Sequence, residues 1–296
     1  MQRSRFTRTL RDVTAVLIVA IFMFPIFWWG LTSIKPISAI FNKDEVVFFD
    51  FKPTLVNYQV VLFGKSRAEL AIESGSTFGV GGGSTYDSRK TILDSILIAV
   101  GSTVLTVLLG VIAAYALSRI NFRGRQAYLN WILSQRFMPP IAIIVPIVFM
   151  FHYAGLRDTI IGLIFIHTLI NLPVAVLLMK SFFDDVPVDV DEAAMLDGAT
   201  RFQIFRKVIL PLVTGGVAAT AVLCFIFSWT EFLLSLFLTN TIRTLPVKIS
   251  TFVTSTGSEW GFISALGTSA IVPSFIFILL VQKQLVRGLT LGSLKD

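Results

Sequence analysis

Charge is scarce in this chain of 296 residues: Asp, Glu, Lys and Arg together supply 15% of it, against 54% hydrophobic residues. A soluble domain carries about a quarter of its residues as charges, so that shortage excludes a single water-solvated fold. Cysteine is nearly missing. The one residue, Cys224, has no intrachain partner for a disulfide. Histidine is limited to His152 and His167, neither with Cys or carboxylate neighbours at metal-ligand spacing, so no metal is expected.

A phosphate-binding loop is also lacking. The tripeptide "GKS" at 64–66 would need a glycine five residues before Gly64, where Gln59 stands, and "GVGGGST" at 79–85 has no strand before it and no Lys-Ser/Thr after it. The latter composition is that of a flexible loop tip. No nucleophile with a base and no paired acids stand at reachable spacing, so an enzyme is not expected. Asp184, Asp185, Asp189, Asp191 and Asp197 crowd one hydrophilic stretch, where solvated charge and helix capping are the weightier readings. Despite a net charge of +7, no basic patch interleaved with aromatics appears, and nucleic acid is not an expected partner.

What the chain has is long apolar runs. A helix needs about 20 residues to cross the roughly 30 Å of bilayer hydrocarbon, and six runs qualify: 13–34, 92–117, 128–151, 159–182, 213–238 and 263–281. Backbone polar groups in lipid must pair within their own segment, and runs without strict alternation favour helices over barrel strands. The expectation is an all-α integral membrane protein with six spans. The first run follows Arg3, Arg5, Arg8 and Arg11 but is too long for a secretory signal core and lacks a clear small-x-small cleavage site, so it reads as a retained helix.

Positive charge gathers on one side of these runs. The tail 1–12 holds four Arg against one Asp and "SRINFRGRQ" holds Arg119, Arg123 and Arg125 with no acid, whereas "HYAGLRD" opposite has one of each. The positive-inside bias then predicts both termini in the cytoplasm, with loop 35–91 and the segment after 238 outside, and with 183–212 and the tail 284–296 inside.

The segment 183–212 interrupts this apolar pattern. Asp189 and Glu192 are spaced as a capping box opening a helix through "EAAML", Gly198 supplies a residue tolerant of left-handed backbone, and Thr200 with Gln203 forms a second box. The second helix places Phe202, Phe205 and Ile209 on one face, with Leu210 nearby, and Arg201, Arg206 and Lys207 toward the others. Pro211 is expected to turn the chain before the fifth span. Two readings stay open for this amphipathic element: a helix resting on lipid headgroups, or one set in the groove of a cytoplasmic partner.

The residues "EAAMLDGATRFQIFRKVILP" resemble the EAA signature of permease subunits of binding-protein-dependent ABC importers: Glu-Ala-Ala, three residues, Gly, nine residues, then Ile-x-Leu-Pro. Glu192, Ala193, Ala194, Gly198, Leu210 and Pro211 match, with Val208 where Ile is usual. The segments "KPTLVNYQVVL", "PPIAIIVPIVFMFHYAGLRDT", "NLPVAVLLMKSFFDDVP", "SWTEFLLSLFLT" and "LVRGLTLGSLKD" extend the resemblance to the carbohydrate-uptake branch, and within it to the maltose-permease G-type subunits. The resemblance implies the type I importer permease fold and a coupling helix docked in a cleft of a separate ATPase. It implies that Glu192 makes a charged contact with that ATPase, that Gly198 forms the turn, and that Ala199, Thr200, Arg201, Phe202, Phe205 and Arg206 lie in the stretch through Lys207 that fills the cleft. It implies as partners a second, nonidentical permease, two ATPase subunits, a periplasmic or lipid-anchored solute-binding protein and a sugar or polyol, all at the inner membrane. This chain would bind no cofactor, ATP and Mg being used by the partner.

Ionisable groups inside spans are costly and usually functional. Arg136 and Glu231 are the clear cases, with Trp229 and Phe232 beside the second as surfaces for a sugar ring; the competing role is scaffold, the two charges pairing with each other or with carbonyls freed at Pro139 and Pro140. By family position Asn240, Thr241, Ile242, Arg243 and Thr244 form the tip of an outer loop facing the binding protein, a plain connection being the alternative. The tail "RGLTLGSLKD" would follow the ATPase interface or simply fray. Two further function classes stand beside the importer: a secondary transporter working on an ion gradient, for which no internal repeat is evident, and an assembly factor without transport.

Overall fold

The computed structural model describes residues 5–41, 48–66, 86–255 and 257–292. The "GVGGGST" loop, part of "VVFFDF" and the last four residues of the C-terminal tail lie outside them. In chain order the helices are α1 Arg5–Ser33, α2 Ile37–Ile40, α3 Val56–Phe63, α4 Arg89–Arg119, α5 Arg125–Ser134, α6 Pro140–Tyr153, α7 Ile160–Asp184, α8 Val188–Leu196, α9 Arg201–Leu212, α10 Thr214–Trp229, α11 Leu233–Leu238, α12 Leu245–Ser250 and α13 Trp260–Gly292. A two-stranded hairpin pairs β1 Val253–Thr254 with β2 Gly257–Ser258, Val253 opposite Ser258.

Among the described residues four helices are long and apolar enough to cross a membrane, and the count reaches six if each of two bent helix pairs is one span. The third expected run is one of these pairs: α5 with its 3₁₀ extension Gln135–Phe137 meets α6 at 97°. Met138 is extended at ψ 120°, as a residue before proline prefers, Pro139 caps α6, and Pro140 takes its first position, where a missing amide costs nothing. The fifth expected run is also interrupted, because α10 ends at Trp229 and α11 begins at Leu233. At about 1.5 Å per residue, the 16 residues of α10 fall short of the hydrocarbon thickness. The sixth run extends further than its apolar stretch, α13 continuing to Gly292 into the expected tail.

The chain divides into two units, 1–90 with 248–271 and 91–247 with 272–296. In the first, α1 exposes every side chain from Leu10 to Phe27, a surface that suits lipid or a neighbouring subunit. Buried Asn57 on α3 donates Nδ2 to the carbonyls of Ser33 at 2.9 Å and Lys35 at 3.0 Å, satisfying the end of α1. Tyr86, Phe252 and Phe262 form a ring cluster with centroids 5.3 to 5.8 Å apart.

The second unit is held by α4, α7 and their neighbours. In lipid, helices associate through close packing rather than hydrophobic expulsion, so small residues set the approach. A Cβ on Gly110 of α4 would stand 2.8 Å from the Cβ of Ala175 on α7, and one on Gly216 of α10 would stand 2.3 Å from the Phe182 ring. Two apolar clusters result. One joins Val111, Ala114 and Leu117 of α4, Val176, Met179 and Phe183 of α7, and Ile204, Ile209 and Val213 at and after α9. The other joins Ile98, Ile144, Leu163, Ile166, Leu234 and Leu238.

Gly216→Val should therefore force α10 from α7 at an overpacking cost of about 1–3 kcal/mol, seen as a lower apparent Tm of the protein in detergent. Gly30→Ala, where a Cβ meets nothing within 4 Å, serves as control and should leave Tm unchanged. Equal melting of both variants would contradict the close packing.

Candidate functional site

The hydrophilic segment folds as two helices locked around one glycine. Gly198 adopts φ +81°, the left-handed conformation that penalises any side chain. Its amide bonds the Met195 carbonyl at 3.0 Å, and the Ala199 amide bonds the Ala194 carbonyl at 3.0 Å. This pair of bonds is the Schellman closure of a helix end. One residue later the expected capping box forms: the Thr200 amide donates to Gln203 Oε1 at 2.7 Å and the Gln203 amide to Thr200 Oγ1 at 3.4 Å. The turn is thus satisfied by its own backbone and nearest side chains.

The first expected box is not formed. Helix α8 starts at Val188 behind Pro187, with no side-chain cap, and Asp189 and Asp191 lie within its first turn. Proline at 187 fixes the entry dihedral and moves the helix start ahead of Asp189. Asp191 is not a solvated charge either. Its Oδ2 stands 2.9 Å from Arg119 Nε at the end of α4, off the hydrogen-bond axis, with both side chains at least 93% buried by complement of their 7% and 6% exposures. Arg119 Nη2 also donates to the Val186 carbonyl at 2.8 Å.

The face of α9 is also different from the periodic expectation. Residues 204–209 form π turns, whose i to i+5 bonding places residues five apart above one another. In an α-helix those residues would diverge by about 140°, from 100° per residue. Ile204 and Ile209 are accordingly both fully buried and Phe205 packs against Tyr115, ring centroids 4.8 Å apart and tilted by 50°, while Phe202 turns outward. The bend into α10, 75°, comes at Val213 rather than at Pro211, which stays helical. Leu210 is half-buried against the α4 and α7 cluster.

The outward surface of the turn is apolar at its tip and charged around it. Leu196 is 90% exposed and Phe202 67%. Glu192, Ala193, Thr200, Arg201, Arg206 and Lys207 are exposed as well, and Ala194 and Ala199 are half-buried. Large exposed apolar groups on a hydrogen-bonded, rigid turn are a surface built to be covered.

The three in-span candidates are not brought together. Arg136 is exposed, its guanidinium 5.6 Å from the Phe227 ring. Trp229 is 9% exposed and stacks on Phe225 at 5.6 Å. Glu231 sits in the break between α10 and α11, accepting from the Leu234 amide at 2.7 Å and from the Ser235 amide and hydroxyl at 3.0 and 2.8 Å. It therefore caps α11, and the basic side chain nearest to it is His167, with Nε2 at 3.3 Å, rather than Arg136. His167 Nδ1 meets Ser228 Oγ at 2.7 Å, and Ser228 accepts from Ser102 at 2.8 Å. This buried chain of α4, α7 and α10 side chains was not legible from spacing.

Beyond α11 the loop 239–244 is fastened by a residue that composition did not single out. Asp158, itself at φ +58°, accepts the amides of Asn240, Thr241 and Ile242 at 3.0 to 3.1 Å and the Thr241 hydroxyl at 2.7 Å. Its own amide bonds the Leu238 carbonyl at 3.0 Å. Burial pushes the Asp158 carboxyl up, but the hydrogen bonds from Thr241, Ile242 and Asn240 outweigh it and hold the group down at about 2. Arg243 is exposed and Thr244 buried.

Comparison with known proteins places this architecture. Residues 106–291 match the model of the family described as binding-protein-dependent transport system inner membrane component. The chain belongs to that family. It is 33% identical to the permease protein of the sulfoquinovosyl glycerol transport system of Agrobacterium fabrum, over 97% of this chain and 94% of the relative. It is 34% identical to the trehalose transport system permease of Mycobacterium tuberculosis, over 96% of each, and 32% identical to the trehalose/maltose transport system permease of Thermococcus litoralis, over 100% and 99%. A chain from the crystal structure of a bacterial ABC transporter involved in the import of the acidic polysaccharide alginate superposes with a TM-score of 0.69, covering 96% of this chain and 99% of that one at 22% identity, and so shares the fold. The resemblance read from the EAA residues is borne out. As a binding-protein-dependent ABC permease the chain is a multi-pass, non-catalytic inner-membrane subunit whose partners include an ATPase and a binding protein.

Asp158 yields a signed expectation for this permease. A carboxyl held at about 2, below the free value of about 3.9, contributes its full stabilisation above the free value and loses it as pH falls through the folded one. The amides of Asn240 to Ile242, corrected for intrinsic rates, should keep their hydrogen-exchange protection from pH 7 to 5 and lose it toward pH 2. Asp158→Asn should weaken that protection at every pH; undiminished protection would contradict the fastening.

Proposed function

We propose that this chain forms one half of the translocation path of a sugar or glycoside importer and transmits ATPase motion through the turn at Gly198. The other half is a second, nonidentical permease, with two ATPase subunits on the cytoplasmic side and a periplasmic or lipid-anchored solute-binding protein outside. The projecting tip carries the reading: Leu196 and Phe202 stand out on a turn closed by its own hydrogen bonds, while Ile204 and Ile209 root it among α4 and α7. Such a tip can transfer force because the amides of Gly198, Ala199, Thr200, Gln203 and Ile204 are all bonded within the turn, which stiffens it.

The substrate class follows from chemistry shared by relatives along the full chain. Their names specify sulfoquinovosyl glycerol, trehalose, trehalose with maltose, and diacetylchitobiose, all glycosides. Arginines at 119, 123 and 125 and in the N-terminal tail support cytoplasmic termini and a cytoplasmic 183–212. In this reading Glu192 and Arg201 are the charged contacts to the ATPase, and Asn240 to Thr244 face the binding protein. Arg136, at the bend of α5 and α6, faces the path, and Trp229 and Glu231 border it through the break they hold.

Two variants test the reading in the complete transporter reconstituted in proteoliposomes. Phe202→Glu should reduce ATP-driven, binding-protein-dependent uptake at least tenfold, about 1.4 kcal/mol in coupling, with the chain still inserted. Gly198→Val should do the same through backbone strain of roughly 1–2 kcal/mol, since nothing within 4 Å would obstruct its side chain. Gly198→Asn, which tolerates left-handed backbone, should retain most uptake. Full uptake by Phe202→Glu and Gly198→Val would overturn the coupling role, and uptake without ATP would overturn the importer itself.

A further inference from the structure

Helix α4 reaches both ends of the second unit and bonds a different functional segment along its length. At one end Arg119 is paired with Asp191 of α8 and bound to the Val186 carbonyl of the connection before it. Beside it Ser118 donates to Asp184 at 2.6 Å, closing the last turn of α7 onto α4. Midway, Ser102 donates to Ser228, which meets His167, the partner of Glu231 at the α10 to α11 break. Near the other end Ser95 Oγ accepts the Leu245 amide at 2.8 Å, immediately after the outer loop. Ser95 and Arg119 are separated by about 36 Å of continuous helix at 1.5 Å per residue.

Chain connectivity alone would pass a displacement of α8 to α7, its sequence neighbour. The Arg119 and Asp191 pair adds a second route. A buried ion pair costs desolvation that apolar residues in its place would avoid, so its presence at the root of an exposed lever calls for a function beyond holding the fold. The guanidinium is a planar fork whose second arm is committed to Val186, which fixes the direction in which it can be pushed. The aromatic surroundings, Tyr115 against Phe183 at 5.6 Å and against Phe205 at 4.8 Å, pack its root and leave little room to slide.

We propose that Arg119 is a positioning residue that pins the coupling segment to α4, so that α4 acts as the rod carrying motion from the ATPase side to the α10 to α11 break and the outer loop. The inference rests on the coupling reading of 183–212. It adds a route of transmission through a helix that does not adjoin that segment in sequence.

The experiment is hydrogen exchange on the complete transporter, with and without a nonhydrolysable ATP analogue, alongside uptake per ATP hydrolysed. In the parent, nucleotide should change exchange in both 192–203 and 240–245. In Arg119→Gln, 192–203 should still respond while 240–245 should not, and uptake per ATP should fall at least fivefold. Since removing one charge leaves the other buried and unpaired, the double variant Arg119→Met with Asp191→Leu restores an uncharged, packed root. It should regain assembly and Tm but not the distant response. If it responds at 240–245 and transports with parental efficiency, the pin is overturned and the coupling reading stands. If 192–203 fails to respond in the parent, the coupling reading itself is overturned.

Discussion

Three carboxylates, Asp191, Glu231 and Asp158, find their partners at places where the chain bends, breaks and turns. Asp191 meets Arg119 and roots the segment 183–212 on α4. Glu231 takes the free amides at the start of α11 and shares His167, which makes a helix break stable where lipid offers no hydrogen bonds. Asp158 gathers three successive amides and a hydroxyl, giving the loop 239–244 one shape. An unpaired carboxylate is costly wherever water is excluded, as at Asp191 and Glu231, while at the loop residue Asp158 the constraint comes from four donors converging on one side chain.

The same economy of polar groups explains why the exposed turn is rigid. Gly198 closes α8, Thr200 and Gln203 open α9, and the π turns after them align Ile204 with Ile209 toward the core. What is left outside is an apolar tip, Leu196 and Phe202, ringed by Glu192, Arg201, Arg206 and Lys207. A stiff, projecting, partly greasy tip on a non-catalytic subunit is what a permease needs if another protein is to move it. Its root, α9, packs against both α4 and α7.

Local features were legible in the sequence and distant ones were not. The Gly198 closure and the Thr200 and Gln203 box involve residues within five positions of each other, and their types alone imply the bonds. Apolar run length located α1, α4, α7 and α13, and adjacent prolines at 139 and 140 announced the sharp bend between α5 and α6. The outward turn of Phe202 was hidden because π turns are imposed by packing, not by residue type. Arg119 read only as a charge setting orientation, Asp191 as solvated, and Asp158 as one acid in a short loop. Their partners lie many tens of residues away, and a single sequence carries no sign of such pairs. The break at Glu231 was masked for a different reason: its flanks are apolar enough to pass for one continuous helix.

The central claim is that the tip at Leu196 and Phe202 is covered by a cytoplasmic ATPase. A photo-crosslinking amino acid placed at Leu196 in native membranes, followed by mass spectrometry of the adduct, tests it most directly. The account predicts a covalent product with an ATPase subunit, strengthened when the binding protein and ATP are both present. Adducts confined to phospholipid would contradict it and return the turn to a surface helix lying on the headgroups.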